Sequence, residues 1–155
     1  MDEELLWDFL METQEETMDY LLKKLSKETI ITLINKEIVK GGFLFALKEG
    51  VFIENKQLRL LYRKPATSFN EKAVQQYKTN RLSVIEEVVY EEGGRIDLVI
   101  FINGLALFAI ELKFNPSGQS VQDAIKQLKG RNPNNRLFRF EQGILASFAV
   151  DTMEI

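Results

Sequence analysis

The dipeptide Asn103-Gly104 restricts this chain more than any other stretch of it. It sits between two apolar runs, "RIDLVIFI" and "LALFAIELKF". Both residues accept left-handed backbone, so they favour the tight turn whose twist matches a β-hairpin. The two flanking strands are apolar on both faces, which predicts central strands covered on both sides. Other elements must supply that cover, and 155 residues are enough for one domain with a real core.

The covering elements are legible as periodicities. Residues 3 to 25 predict helix, with Leu5, Leu6, Phe9 and Leu10, then Met18, Leu21, Leu22 and Leu25, at helical spacing and a break near Met11 to Glu15. Ser26 caps a further helix carrying Ile30, Ile31, Leu33, Ile34 and Ile38, which Gly41 and Gly42 end. Strand character appears near Leu58 to Tyr62, after a turn at Glu54 to Lys56. Ser68 with Glu71 predicts a capping box for a helix reaching about Thr79. "RLSVIEEVVYEE" reads as a strand that Gly93 and Gly94 turn into the hairpin. Beyond the hairpin, Pro116 and Gly118 mark a loop. Ser120 with Asp123 then caps a helix whose stripe is Val121, Ala124, Ile125 and Leu128. "GILASFAV" is a closing strand. The order predicts an α/β or α+β fold with a mixed central sheet and flanking helices.

Against that background the hairpin's charges stand out. Asp97, Glu111 and Lys113 lie in strands otherwise fit for burial. A buried charge is costly unless it is paired or holds a metal. Glu111 and Lys113 are two apart and share a face. A strict two-residue loop pairs Asp97 with Ile110 and sets the two acids on opposite faces. A three-residue loop or a bulge pairs Asp97 with Glu111 instead, with Cβ atoms about 4.5–5.5 Å apart. Two carboxylates that close need a cation between them. Mg²⁺ suits them, because it takes one or two carboxylates together with phosphate and water. Lys113 beside it is able to stabilise charge developing on a phosphoryl group. The competing account is that these residues reach solvent at strand ends, with Lys113 simply pairing Glu111. Glu86 and Glu87, in the preceding strand, read as solvated.

The inventory narrows the chemistry further. The chain has neither cysteine nor histidine. Thiol catalysis, disulfides, a histidine base and a histidine-ligated zinc are all excluded. The absence of cysteine suits a reducing cytoplasm. The N-terminus is acidic, so it predicts no signal peptide, and the apolar runs are too short to span a membrane. A net charge of −3 neither supports nor forbids nucleic-acid binding.

Asp97 followed across the turn by Glu111-x-Lys113 resembles the PD-(D/E)xK nuclease core. More specifically, from about Leu58 onward the chain is similar to the N-terminal endonuclease domain of the R subunit of type I restriction enzymes. The resemblance rests on "LLYRKPATSFN", "TNRLSVIEEVVY", "RIDLVIFINGLALFAIELKFNPSGQSVQDAIKQLKGRNP" and "LFRF…ILASFAVDTMEI". The family carries a similar "DLVLF-NG-P" hairpin, an "ELKNP-TGQ" loop, an "A-xx-Q" helix and a "FAVDTDEV" strand.

The resemblance implies a PD-(D/E)xK restriction-endonuclease-like core, over about residues 43–155, preceded by N-terminal helices over about 1–42. It implies a Mg²⁺-dependent endonuclease domain that makes double-strand breaks in DNA after ATP-driven translocation. Asp97, Glu111 and Lys113 become the catalytic residues, with Asp97 and Glu111 the metal ligands. Gln127 matches a DNA-positioning glutamine. The family's tyrosine four residues later is Arg131 here, so its DNA-positioning role is either missing or taken over by Arg131. Lys126, Lys129 and Arg131 form a basic edge, either for DNA phosphates or as a solvated face. Glu28 and Glu37 are the candidates for a further acid from an early helix. Partners implied are double-stranded DNA and the modification and specificity subunits of a restriction complex, without a membrane. The chain has no phosphate-binding G-x-x-x-x-G-K-[ST] loop and no room for a motor. It is therefore expected to be a fragment of a larger motor-containing subunit, and ATP is expected to be used only by the full-length subunit. The rival reading is a catalytically inactive docking or DNA-binding module on the same fold. A glycosidase with paired acids ranks last, because it leaves Lys113 idle.

Overall fold

The computed structural model describes residues 1–91, 93–113 and 120–151. They form an α+β protein in two compact units. The first unit is Met1–Leu82 with Ile102–Leu105, and the second is Ser83–Phe101 with the residues from Ala106 onward. The loop expected around Pro116 and Gly118 lies outside the described residues. No helix among the described residues is long and apolar enough to cross a membrane.

In the first unit, α1 (Glu3–Thr13) and α2 (Glu15–Leu22) are separated at Gln14. Asp2 caps α1 by accepting the Leu5 N–H at 3.1 Å. Gln14 leaves helical geometry at φ −142°, and its side chain pairs with the main chain of Arg59 in both directions. The amide donates to the Arg59 carbonyl at 2.9 Å and accepts the Arg59 N–H at 2.7 Å. An interruption in the helix thus satisfies a distant backbone segment that lacks a strand partner.

The helix α3 (Lys27–Gly41) starts at the Ser26 cap and ends at Gly42, as its spacing predicts. Beyond Gly42 the chain departs from expectation. Phe43–Glu49 forms a short helix, α4. The strands are β1 (Val51–Ile53) and β2 (Lys56–Leu58), paired antiparallel around Glu54 and Asn55, both at positive φ. The strand expected over Leu58 to Tyr62 therefore lies earlier. Asn80 takes over the hydrogen bonding at Tyr62, accepting its N–H and donating to its carbonyl. The helix α5 (Glu71–Lys78) is capped by Asn70, which accepts the Ala73 N–H at 3.0 Å, and not by Ser68. Asparagine directly before the first helical residue has the better reach for that N–H. The core of this unit includes Leu6, Phe9, Leu10, Met18, Ile30 and Ile34.

The second unit carries a four-stranded sheet in the order β3-β4-β5-β6. Its strands are β3 (Leu82–Glu91), β4 (Gly94–Ile102), β5 (Leu105–Leu112) and β6 (Ala146–Val150). The sheet is mixed: β6 runs parallel to β5, with Glu111 opposite Ala149 and Leu112 opposite Val150. Ile96, Val99, Phe101 and Ala109 form a buried cluster, against which Tyr90, Leu137, Phe138 and Ile144 pack. The helix α6 (Val121–Lys129) buries Val121 and Ala124 and packs on β6. Its capping box is the expected one, with Asp123 accepting the Ser120 N–H at 2.9 Å.

Candidate active site at the open end of the hairpin

The hairpin turn is the strict two-residue form, with Asn103 at φ 49° and Gly104 at φ 79°. Simple alternation from that turn sets Asp97 and Glu111 on opposite faces. The alternation in β4 is not simple, however. Gly94 and Ile96 are buried, and then Val99 and Phe101 are. The buried phase changes by one residue across Asp97 and Leu98, the change an extra residue in one strand produces. The Asp97 carboxylate reaches across to β5 and accepts the Leu112 N–H at 2.7 Å. Its negative charge is felt at Glu111.

Glu111 is fully buried and forms an ion pair with Arg131, whose side chain is 8% exposed. Burial pushes the Glu111 carboxyl above its ordinary value of 4.5; Arg131 pulls it back, and Asp97 adds to the upward push. Only Oε1 meets the guanidinium. Oε2 is buried without a hydrogen-bond partner among the described residues. An unpaired carboxylate oxygen in the interior is costly and is a ready position for a hard cation. Among the described residues no three or more acidic, histidine or cysteine side chains gather into a metal cage. The donor set present, two carboxylates within reach of one another's charge, fits Mg²⁺ if phosphate and water complete the shell.

Lys113 follows β5 directly, and its N–H is held by the Val150 carbonyl at 2.8 Å. Its ammonium donates to Gln127 Oε1 at 2.8 Å. Gln127, exposed on α6, is therefore brought to the lysine as its register on the helix implied. Asp151, which follows β6, accepts the Val121 N–H at 3.2 Å and ties the start of α6 to the end of β6.

Arg131 is the one site residue whose position differs from the sequence-based expectation. It does not lie on a solvated basic edge. The helix ends at Lys129, Gly130 caps it, and the chain turns Arg131 inward. There the guanidinium donates to Glu111, to the Tyr90 hydroxyl and to the Arg95 carbonyl. It also lies over the Tyr90 ring at 4.9 Å. The cause is Glu111, since a buried carboxylate draws in the nearest cation able to reach it. Tyr90, which helps hold Arg131, was missed; nothing local to "VVYEE" marks it. Lys126 and Lys129 are exposed. Glu28 and Glu37 lie on α3 in the first unit, each with a local partner. Hydrogen bonds from its own backbone and from Ser26 hold the Glu28 carboxyl below its usual range, and Glu37 sits 3.9 Å from Lys40. Glu86 and Glu87 are exposed, as expected. Glu87 takes positive φ within β3 and pairs with Arg95 at 3.2 Å.

Fold and site together define a class: an α+β protein whose mixed sheet carries a buried glutamate beside a half-buried aspartate, and a tethered lysine at a strand end. The chain as a whole says more. The family described as type I restriction enzyme R protein N terminus matches residues 3–153. The chain belongs to that family, which gives it a role in a restriction system. Comparison with curated proteins and with solved structures returned no match.

Proposed function

We propose that this chain is the metal-dependent DNA endonuclease domain of a type I R subunit, built on a PD-(D/E)xK core. The reading takes residues 1–155 as one nuclease domain, with N-terminal helices leading into the core. It acts on double-stranded DNA in the cytoplasm with modification and specificity subunits, after the R subunit's motor has used ATP to translocate. The observation that carries the proposal is the buried Glu111 with a vacant hydrogen-bonding oxygen, beside Asp97 and next in strand phase to Lys113.

The reaction is hydrolysis: a water oxygen forms a bond to phosphorus while the bond to the leaving sugar oxygen breaks. Mg²⁺, when bound by Asp97 and Glu111, supplies Lewis-acid polarisation of the phosphate and acidifies water. The remaining tasks fall to the chain. The Leu112 N–H fixes the Asp97 carboxylate in orientation. Gln127 holds the Lys113 ammonium in place, and Lys113 stabilises the negative charge growing on the phosphoryl oxygens.

The test is calorimetric titration with Mg²⁺ and Mn²⁺, comparing the wild type with Asp97→Ala. Binding by the wild type and its loss in the variant support the proposal; equal binding by both removes Asp97 from the site. A second reading, a docking module without activity, is favoured by one observation: Arg131 already neutralises Glu111. A complete R subunit that translocates but cleaves no DNA with Asp97, Glu111 and Lys113 intact decides for that reading.

A further inference from the structure

We infer that Arg131 is the resident counter-cation of Glu111, which it gives up when a divalent cation binds, so that metal loading is an exchange of cations and not the filling of an open site. The inference rests on the metal-dependent reading above and adds a mechanism for occupancy.

The first observation is that the ion pair is incomplete on both sides. Arginine and carboxylate commonly meet through two parallel hydrogen bonds. Here Glu111 Oε2 and Arg131 Nε are both buried and both lack a partner among the described residues. A pair shaped for stability leaves neither atom idle, because each one costs desolvation free energy without return. The idle oxygen is the position at which a second cation first makes contact.

The second observation concerns what else holds Arg131. Its guanidinium donates to the Arg95 carbonyl at 2.7 Å and to the Tyr90 hydroxyl. It also lies 4.9 Å from the Tyr90 ring centroid and 5.9 Å from that of Phe138. None of these partners is charged. When Glu111 turns to a metal, Arg131 keeps them all, so release does not require the unit to unfold. The aromatic faces and the carbonyl hold the cation in waiting.

The third point is electrostatic. A guanidinium and a divalent cation sharing one buried carboxylate repel each other strongly where water is excluded. The two occupancies are therefore coupled negatively, and coupling between sites of this kind spans about 5- to 150-fold in affinity.

The experiment compares the wild type, Arg131→Gln and Arg131→Lys in this chain. Mg²⁺ and Mn²⁺ affinities are measured by calorimetry, and thermal melts are recorded with chelator and with metal. Arg131→Gln is expected to bind Mg²⁺ about tenfold tighter than the wild type, within that coupling range. Arg131→Lys, which keeps the charge, is expected to bind no tighter. In chelator Arg131→Gln melts lower than the wild type, and metal raises its midpoint by more. Should Arg131→Gln fail to fold in chelator, recovery of the fold on adding Mg²⁺ supports the exchange. Failure to recover at saturating Mg²⁺, with the wild type binding metal, overturns it. Equal or weaker metal affinity in a folded Arg131→Gln also overturns it while leaving the nuclease reading intact. Absence of any metal binding in the wild type and in Arg131→Gln removes the metal reading itself, and the exchange with it.

Discussion

Asn103 and Glu111 are the two polar side chains sealed from solvent among the described residues, and they lie toward opposite ends of one hairpin. At the turn, Asn103 is fully employed. Its side-chain oxygen accepts the Arg81 N–H at 2.7 Å, and its amide donates to the Leu60 carbonyl at 2.9 Å and to Asn80 at 3.0 Å. At the open end, Glu111 has one oxygen paired and one idle. Burial is the same and satisfaction is not. A buried polar group with every bond made builds a fold, whereas one left short calls for an explanation, which the proposed metal site supplies.

The comparison breaks most easily at the turn. Gly104 sits at φ 79°, and a Cβ there meets the Asp2 carbonyl oxygen at 2.3 Å and the Leu6 nitrogen at 2.6 Å. Both are backbone atoms, so no side chain is able to swing aside. Gly104→Ala and Asn103→Ala are each expected to lower stability by about 3 kcal/mol or more, read by chemical denaturation. Under conditions where they remain folded, their divalent-metal affinity stays close to wild type. A turn that tolerates Asn103→Ala at full stability ends the contrast with Glu111.

At the open end the effects are on chemistry. In the complete R subunit, Lys113→Ala is expected to slow DNA cleavage by about 10²–10³-fold while metal binding and ATP hydrolysis survive. Cleavage at the wild-type rate moves the docking-module reading ahead. Gln127→Ala frees the Lys113 ammonium without removing it. A loss of about three- to tenfold in cleavage is expected, with metal affinity unchanged, since an exposed hydrogen bond is worth about 1 kcal/mol.

The smallest effect belongs to the cap of α6. The backbone and side chain of Ser120 hold the Asp123 carboxyl below its ordinary value of 3.8. A depressed folded value means that the stabilisation is fully present above 3.8 and is lost as pH falls through the lower folded value. Asp123→Ala is therefore expected to melt slightly lower than the wild type at neutral pH. The gap should close in acid, as thermal melts across pH will read.

Much of this was legible in local pattern. Asn103-Gly104 specified the turn, Ser120 with Asp123 the start of α6, and Ser26 and Gly42 the limits of α3, because turns and caps are decided by a few adjacent residues. The failures fall where local signals compete. The strand expected over Leu58 to Tyr62 lies earlier, at Lys56–Leu58, because Gln14 and Asn80 take up the backbone of Arg59 and Tyr62. Ser68 and Asn70 both suit a cap, and the nearer one serves. At the site, the acids and the lysine were legible as charges in apolar strands. The inward turn of Arg131 was not, because its partners Glu111, Tyr90 and Arg95 are remote in sequence and no periodicity encodes them. Asn103 was read as a turn residue, and its long-range hydrogen bonds were invisible for the same reason.

The parallel pairing of β5 with β6 has a consequence in time. The hairpin closes over two residues and is able to form as soon as both its strands exist. The ladder from Phe108 and Ala146 to Leu112 and Val150 must wait until α6 and the residues on either side of it have been made. Contacts between strands so far apart in sequence form slowly, because the loop must be closed before the pairing returns anything. On the ribosome, β6 emerges after every other strand of its sheet. Until it docks, the Lys113 N–H lacks its carbonyl and α6 lacks the strand it packs on. A nascent chain thus carries the acids and the lysine well before it can hold them in order, and assembly of the site is deferred to the end of synthesis of this unit.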